Sequence, residues 1–421
     1  INSRRVNYKL HSPGNMITIT PGKAVRVWIV FNSRHVPPGK YRTSLLLKPA
    51  YDYSIADRKI PVNLQVWNFA LPETHEWPLA SFLWGPNRFA NDEVALLRLS
   101  HAYHITHGWT KGFQYTHGLQ QDFQTRPLPE GKAFDENLAK YANQEFFRVA
   151  RELNMKFVFG WNLPYDVRWY RLMAERLVKM GFRHEDFVFK ALIADEFVRK
   201  HIPVRAAIRE EIQKINPGWY FQAVYLSSPP PVGATMDDIE NAGLPEFYKM
   251  WTVIRHLLND PQRGPEVIRR LRRKGCQVWS YNCQRYMQVQ PVLEYYRFYA
   301  WECYMKGLDG MALWTVMSPY GDDGFDYRDG YDDGLVWRGF DKQPVPTKRL
   351  EAIREGLEDV AYMDRLRKEL DRMKMKGKSY PEYESLLSVR GDIMKKASQN
   401  EVDLWRLKVG SAIDHLTAQR F

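Results

Sequence analysis

The feature that most constrains the fold is a rhythm that starts at Leu79. A short apolar run is followed by an amphipathic stretch or a long loop, eight times over. The apolar runs are Leu79–Gly85, His107–Gly112, Lys156–Trp161, Asp186–Ala194, Gly218–Leu226, Met250–Ile254, Cys276–Cys283 and Gly310–Met317. All have the length and composition of strands. Helical periodicity follows at 136–153, 166–180, 198–215, 265–274, 291–306 and from Pro346 to Leu370. A further helix starts after Asn91, which can cap it, with Asp92 and Glu93 in its first turn. Eight such units predict an α/β fold, a closed (β/α)8 barrel of the TIM type. An open doubly wound sheet is the competitor, but no Gly-rich phosphate loop follows any strand.

The flanks read differently. Alternation at Val25–Phe31, Tyr41–Lys48 and Ile60–Trp67, with turns at Pro21-Gly22 and Pro37-Pro38-Gly39, predicts a small antiparallel β domain. It is short for a complete sandwich, so the true N-terminus is expected upstream. Two more amphipathic helices are expected beyond the barrel, packed on its outside. The expected domains are therefore 1–72, a 73–372 barrel and a 373–421 helical extension.

Composition excludes several classes. At 44% hydrophobic and 26% charged the chain can build a core and is not disordered. No window of 18 apolar residues offers a membrane span. Three cysteines, Cys276, Cys283 and Cys303, cannot all pair within the chain, so free buried thiols are expected rather than a disulfide framework. The chain opens at Ile1 without an apolar leader, as a processed or trimmed chain would. The net charge of +12 favours anionic partners, whether acidic glycan, nucleic acid or anionic lipid, without choosing among them. The run Arg269–Lys274 belongs to a helix with a buried stripe of Val267, Ile268 and Leu271, so its cations read as that helix's wet face. Nucleic acid is thus not the expected partner. The Asp-rich stretch 321–334 lacks the spacing of an EF-hand loop and reads as a solvated loop over the site. No metal or cofactor is expected.

Barrel enzymes carry their chemistry at the C-terminal ends of the strands. Here those ends hold Trp84, His107, Asn162, Asp195-Glu196, Tyr225, Tyr281 and Trp314. The carboxylate pair is the sharpest feature, closing the apolar run Phe187–Ala194. Neighbouring strand residues face opposite ways, so both reach one substrate only if the chain bends there. Two adjacent carboxyls split their pKa values into an acid and a base, as glycoside cleavage requires. The alternative is a solvated helix cap. Trp279 and Tyr281 share one face of the seventh strand. Tyr281 can hydrogen-bond a substrate oxygen, Trp314 can floor a sugar pocket, and Asn162 can bind a hydroxyl. Trp84, His107 and Tyr225 are lesser candidates. Barrel-core packing is the alternative for the aromatics.

Three stretches resemble glycoside hydrolase family 123. Pro21-Gly-Lys, Pro38-Gly-Lys-Tyr-Arg and Val62–Pro72 look like the end of that family's N-terminal β domain. Gly307–Trp314 looks like its last barrel strand and Arg349–Tyr362 like its closing helix. Asp195-Glu196 falls where its catalytic pair stands, although Phe197 replaces the Pro that often follows, and most of the N-terminal domain is absent. The resemblance implies a β-N-acetylgalactosaminidase acting with retention, in which the substrate's acetamido oxygen is the nucleophile. Asp195 would orient the acetamido group, and Glu196 would be acid and then base. Tyr281 would meet the acetamido oxygen. The implied partner is a glycan, anionic if the +12 charge serves function, and the implied location extracellular or periplasmic. A rival reading is a non-catalytic carbohydrate-binding or surface protein on the same scaffold.

Overall fold

The computed structural model describes residues 36–49, 54–84, 93–110, 145–159, 167–190, 198–215, 221–225, 233–283, 290–316, 334–338, 343–388 and 396–419, with 31, 33 and 136 besides. It divides into two compact units, Glu73–Leu357 and a second made of Ile1–Pro72 with Glu358–Phe421. Strands are numbered in chain order: β1 (Gly39–Leu47), β2 (Arg58–Val66), β3 (Ala80–Leu83), β4 (His107–Thr110), β5 (Lys156–Phe159), β6 (Phe187–Lys190), β7 (Phe221–Tyr225), β8 (Met250–Ile254), β9 (Gln277–Asn282), β10 (Gly310–Leu313), β11 (Val336–Arg338) and β12 (Pro344–Pro346).

In the larger unit β3 to β10 are parallel and close into a barrel, β10 pairing with both β9 and β3. The eight expected apolar runs are these eight strands. Following paired residues once round the barrel from Gly310 through Ala80 returns to β10 level with position 302, eight residues below the start. Eight strands with a shear of eight is the TIM geometry, so the fold is TIM-like.

That shear stacks inward side chains in layers drawn from alternate strands. Ala80, Lys156 and Gln277 close the bottom, half-buried to exposed. Above Gly310 and its companions His107, Val188 and Met250 come Phe82, Val158 and Trp279, then Trp109, Thr252 and Ala312, then Trp84, Val224 and Tyr281. Trp314 and Ile254 stand at the mouth. Ring contacts confirm the inward direction. His107 meets Trp279 at 5.0 Å although β3 and β10 separate their strands. Trp84 meets Tyr281 at 6.1 Å across β10. Gly310 is required in its layer because a Cβ there would overlap the Trp279 indole.

The outward faces of β5 and β6 explain their phenylalanines. Phe157 packs edge-on against Phe146 and Phe147 of the helix Glu145–Glu152, at 5.7 and 5.4 Å, and Phe159 stacks on Phe189 at 5.0 Å. The helix Lys348–Met375 makes a closer approach. A Cβ on Gly356 would overlap the backbone oxygen of Arg297, whose buried guanidinium pairs with Glu355 at 3.0 Å. Gly356→Ala gains about 1 kcal/mol of helix propensity. The clash is with backbone and cannot relax cheaply, so the variant is expected to be less stable by about 1–3 kcal/mol. Urea unfolding checks the sign, and a more stable variant would refute it.

The basic helix Arg263–Arg273 buries Val267 and Leu271. Arg270 binds Glu240 and Asp237 at 2.7 and 2.5 Å, Lys274 binds Glu246 at 2.7 Å, Arg272 reaches Asp309 at 3.4 Å, and Arg269 pairs with Glu266. Much of that run is thus neutralised within the chain. Cys276 and Cys303 are buried, and burial pushes the Cys276 thiol up to about 11. Among the described residues no helix is long and apolar enough to cross a membrane.

The second unit joins both ends of the sequence. β1 and β2 form an antiparallel pair, Gly39 opposite Val66 and Leu47 opposite Arg58. Val25–Phe31, apart from residue 31, lies outside the described residues. The helix Gln399–Ala418 starts at a capping box, Ser398 with Glu401. Its Val409, Ala412, Ile413 and Leu416 pack on Leu366, Leu370 and Met373. The Trp67 ring fills the space over Gly410, and the Asn68 backbone N–H donates to Asp414 at 2.8 Å. Arg406 binds Asp359, which is fully buried, at 2.5 Å and Glu358 at 3.1 Å.

Candidate active site

The mouth of the barrel is built on the ends of β3, β9 and β10. The Trp84 N–H donates to Leu313 O at 3.0 Å, and its own carbonyl accepts from Val316 N at 2.7 Å and from the Thr315 hydroxyl at 2.7 Å. Trp314 N donates to Asn282 O at 2.9 Å, and the Trp314–Thr315 peptide bond is cis. These bonds hold Trp84 and Trp314 at neighbouring strand ends. Trp84 and Tyr281 are buried, and Trp314 is half-buried. Below Trp314 the Asn282 side chain turns outward and accepts from Tyr295 OH at 2.8 Å.

The chain leaves Val316 and comes back beside it. Leu335 N and Val336 N both donate to Val316 O, at 2.9 and 2.8 Å. The Thr347 hydroxyl donates to Leu335 O at 2.8 Å, and the buried Arg349 guanidinium to Gly334 O at 2.8 Å. The Asp-rich stretch is therefore rooted at the barrel mouth. Its residues 321–333 lie outside the described residues.

The expected site residues fall into three groups. Asp195, Glu196 and Asn162 lie outside the described residues; the strand that leads to the pair is β6. Trp84, Tyr281 and Trp314 are brought together at the mouth. His107, Trp279 and Tyr225 stand elsewhere in the barrel. His107 and Trp279 face inward but in the two lower layers, where they fill the core. There the His107 Nδ1 lies 2.8 Å from the Thr106 hydroxyl, and the Trp279 indole donates to Gln277 at 3.2 Å. Tyr225 has the opposite parity to Val224 and so faces the outer ring, among the charges of Arg263, Arg270, Asp238 and Asp237. Trp109 was missed. It is two residues beyond His107, shares its inward face, and stands one layer below Trp84 and Tyr281.

Burial, and then the Lys156 ammonium, push the His107 imidazole down to about 3. In the unfolded chain the ring titrates near its ordinary 6.5. The unfolded state therefore binds the extra proton between those values, and stability present at neutral pH is lost on acidification. His107→Phe is expected to flatten unfolding free energy against pH between about 6.5 and about 4. An unchanged slope would mean that another group carries the acid sensitivity.

Among the described residues no cluster of three His, Cys, Asp or Glu could hold a metal ion. No family model matches the chain, and no curated protein matches it. Solved structures do. A family 123 glycoside hydrolase from Clostridium perfringens, studied for glycolipid glycan hydrolysis, aligns over 92% of this chain and 77% of its own, with a TM-score of 0.56 and 11% identity. That likeness bears on the fold. A sugar phosphate isomerase/epimerase from Parabacteroides distasonis covers 66% of this chain and 97% of its own at 8% identity, with a TM-score of 0.34, too low to bear on it.

Proposed function

We propose that the chain is a glycoside hydrolase that removes β-linked N-acetylhexosamine, GalNAc for preference, with retention. The observation that carries the reading is structural. A TIM-like barrel shared in outline with a family 123 glycoside hydrolase holds Trp84, Tyr281 and Trp314 at its mouth. In sequence, Asp195-Glu196 follows β6, the strand opposite β10 across the barrel.

The chemistry needs no protein nucleophile. The substrate's acetamido oxygen attacks the anomeric carbon as the glycosidic C–O bond breaks, giving an oxazolinium ion. Glu196 gives its proton to the leaving oxygen. Asp195 accepts the acetamido N–H and offsets the positive charge that develops on the ring. Tyr281 donates to the acetamido oxygen. Water then attacks the anomeric carbon, Glu196 takes its proton, and the oxazolinium ring reopens. Trp314 presents a ring face for the sugar to stack on. Substrate assistance is an established departure from the two-carboxylate scheme.

A screen of chromogenic β-GalNAc and β-GlcNAc glycosides tests the activity. Proton NMR of the first product tests the stereochemistry, where the β-anomer is expected first and a thiazoline analogue of the oxazolinium ion should inhibit. The α-anomer first would remove the substrate-assisted mechanism. Binding of the sugars without turnover would favour a carbohydrate-binding protein.

A further inference from the structure

Two buried indoles in this chain, Trp77 and Trp279, have their N–H groups met. Trp77 Nε1 donates to Leu357 O at 3.1 Å, and Trp279 Nε1 to Gln277 at 3.2 Å. Trp109 is different. It is 8% exposed, and its Nε1 is buried with no hydrogen-bond partner among the described residues. Leaving such a donor unmet forfeits the hydrogen bond it made to water in the unfolded chain. A phenylalanine would fill most of that space without leaving a donor unmet, so packing does not call for the indole N–H.

Position supplies a reason. The pairing of His107 with Phe82 and of Trp109 with Val158 places Trp109 inside the barrel. Its layer partners Ala312 and Thr252 are small, Lys190 of β6 is the fourth residue at that level, and Thr252 has turned its hydroxyl to Ala223 O at 2.9 Å. The layer beneath is closed by Phe82, Val158 and Trp279, all buried. Trp109 therefore lies at the lowest level that a molecule entering between Trp84, Tyr281 and Trp314 can reach. We propose that Trp109 is a substrate-binding residue: it forms the floor of the sugar site, and its indole N–H donates to an oxygen of the bound sugar. The proposal rests on the glycan-binding part of the function above, not on turnover.

The test uses the full chain with ¹⁵N-labelled tryptophan, in wild type, W109F and W77F. The probes are N-acetylgalactosamine and N-acetylglucosamine. The indole peak absent from W109F is that of Trp109, and it should move downfield when at least one of the sugars is added to wild type. W109F should bind that sugar about 10-fold more weakly, the loss of one hydrogen bond of about 1.4 kcal/mol, and melt no lower than wild type. W77F, which loses a met hydrogen bond, should melt lower and bind normally. If W109F does not fold, W109M replaces it. A Trp109 peak unmoved by either sugar, or wild-type affinity in the variant, overturns the proposal. A moved peak without hydrolysis of chromogenic glycosides leaves Trp109 standing and removes the hydrolase. Hydrolysis with wild-type KM and kcat in W109F does the reverse.

Discussion

Glu196→Gln is expected to lower kcat on glycosides with poor leaving groups by about 10²–10⁴-fold, the usual worth of a general acid. The amide keeps the shape of the side chain but has no proton of suitable acidity to give. Aryl glycosides whose leaving phenolate is already stable need that proton less, so their first step should suffer far less. Breakdown of the intermediate still needs a base, so a burst followed by slow turnover is expected on the activated substrates. The ratio of the two losses is the informative quantity. Equal losses on both substrate types would show that residue 196 acts through position or folding rather than proton transfer.

Arg406→Met is expected to destabilise the unit formed by residues 1–72 and 358–421 by about 3–5 kcal/mol. The Asp359 carboxylate is fully buried, and Arg406 stands 2.5 Å from it while also holding Glu358 at 3.1 Å. Removing the guanidinium leaves a buried negative charge without its counter-ion, the most costly way to break such a pair. The remedy is to remove the charge as well. Asp359→Leu with Arg406→Met should recover most of the loss, because a well-packed apolar pair is often as stable as a buried ion pair. Denaturant unfolding of the two variants decides. A single variant within about 1 kcal/mol of wild type would mean that water reaches Asp359 easily.

The barrel was legible because each strand is a short apolar run and each following helix has its own periodicity. Residues such as Phe157, Phe159, Phe187 and Phe189 mark strands buried on both faces. Parity was legible too: Trp279 and Tyr281 alternate with Ser280 on β9. Height was not. Whether an inward residue belongs to the floor or the mouth depends on the register between strands, and only the pairing round the whole barrel fixes that. Hence the sequence could not show that His107 and Trp279 stand in lower layers than Trp84 and Tyr281. The outward parity of Tyr225 was hidden for another reason: nearness to a strand end says nothing about which face a side chain takes. Trp109 had a readable signal, its spacing of two from His107, but that strand's pattern is weak. The β11–β12 pair was hidden because it follows an Asp- and Gly-rich stretch and ends in Pro344–Pro346, which argues against a strand.

The smaller unit is sewn from two segments with the whole barrel between them. Asn68 and Asp414, bonded directly, are 346 positions apart in the chain. As the polypeptide emerges from the ribosome, β1 and β2 are made before the barrel, yet the helix that supplies Trp67 and Asn68 with their neighbours is made after it. A two-stranded ribbon on its own is marginal in water. The barrel, whose residues 73–357 form one uninterrupted stretch, can close while that ribbon still waits. Maturation thus has a built-in order, and the segment most exposed to premature proteolysis during synthesis is the ribbon that waits for the later helix.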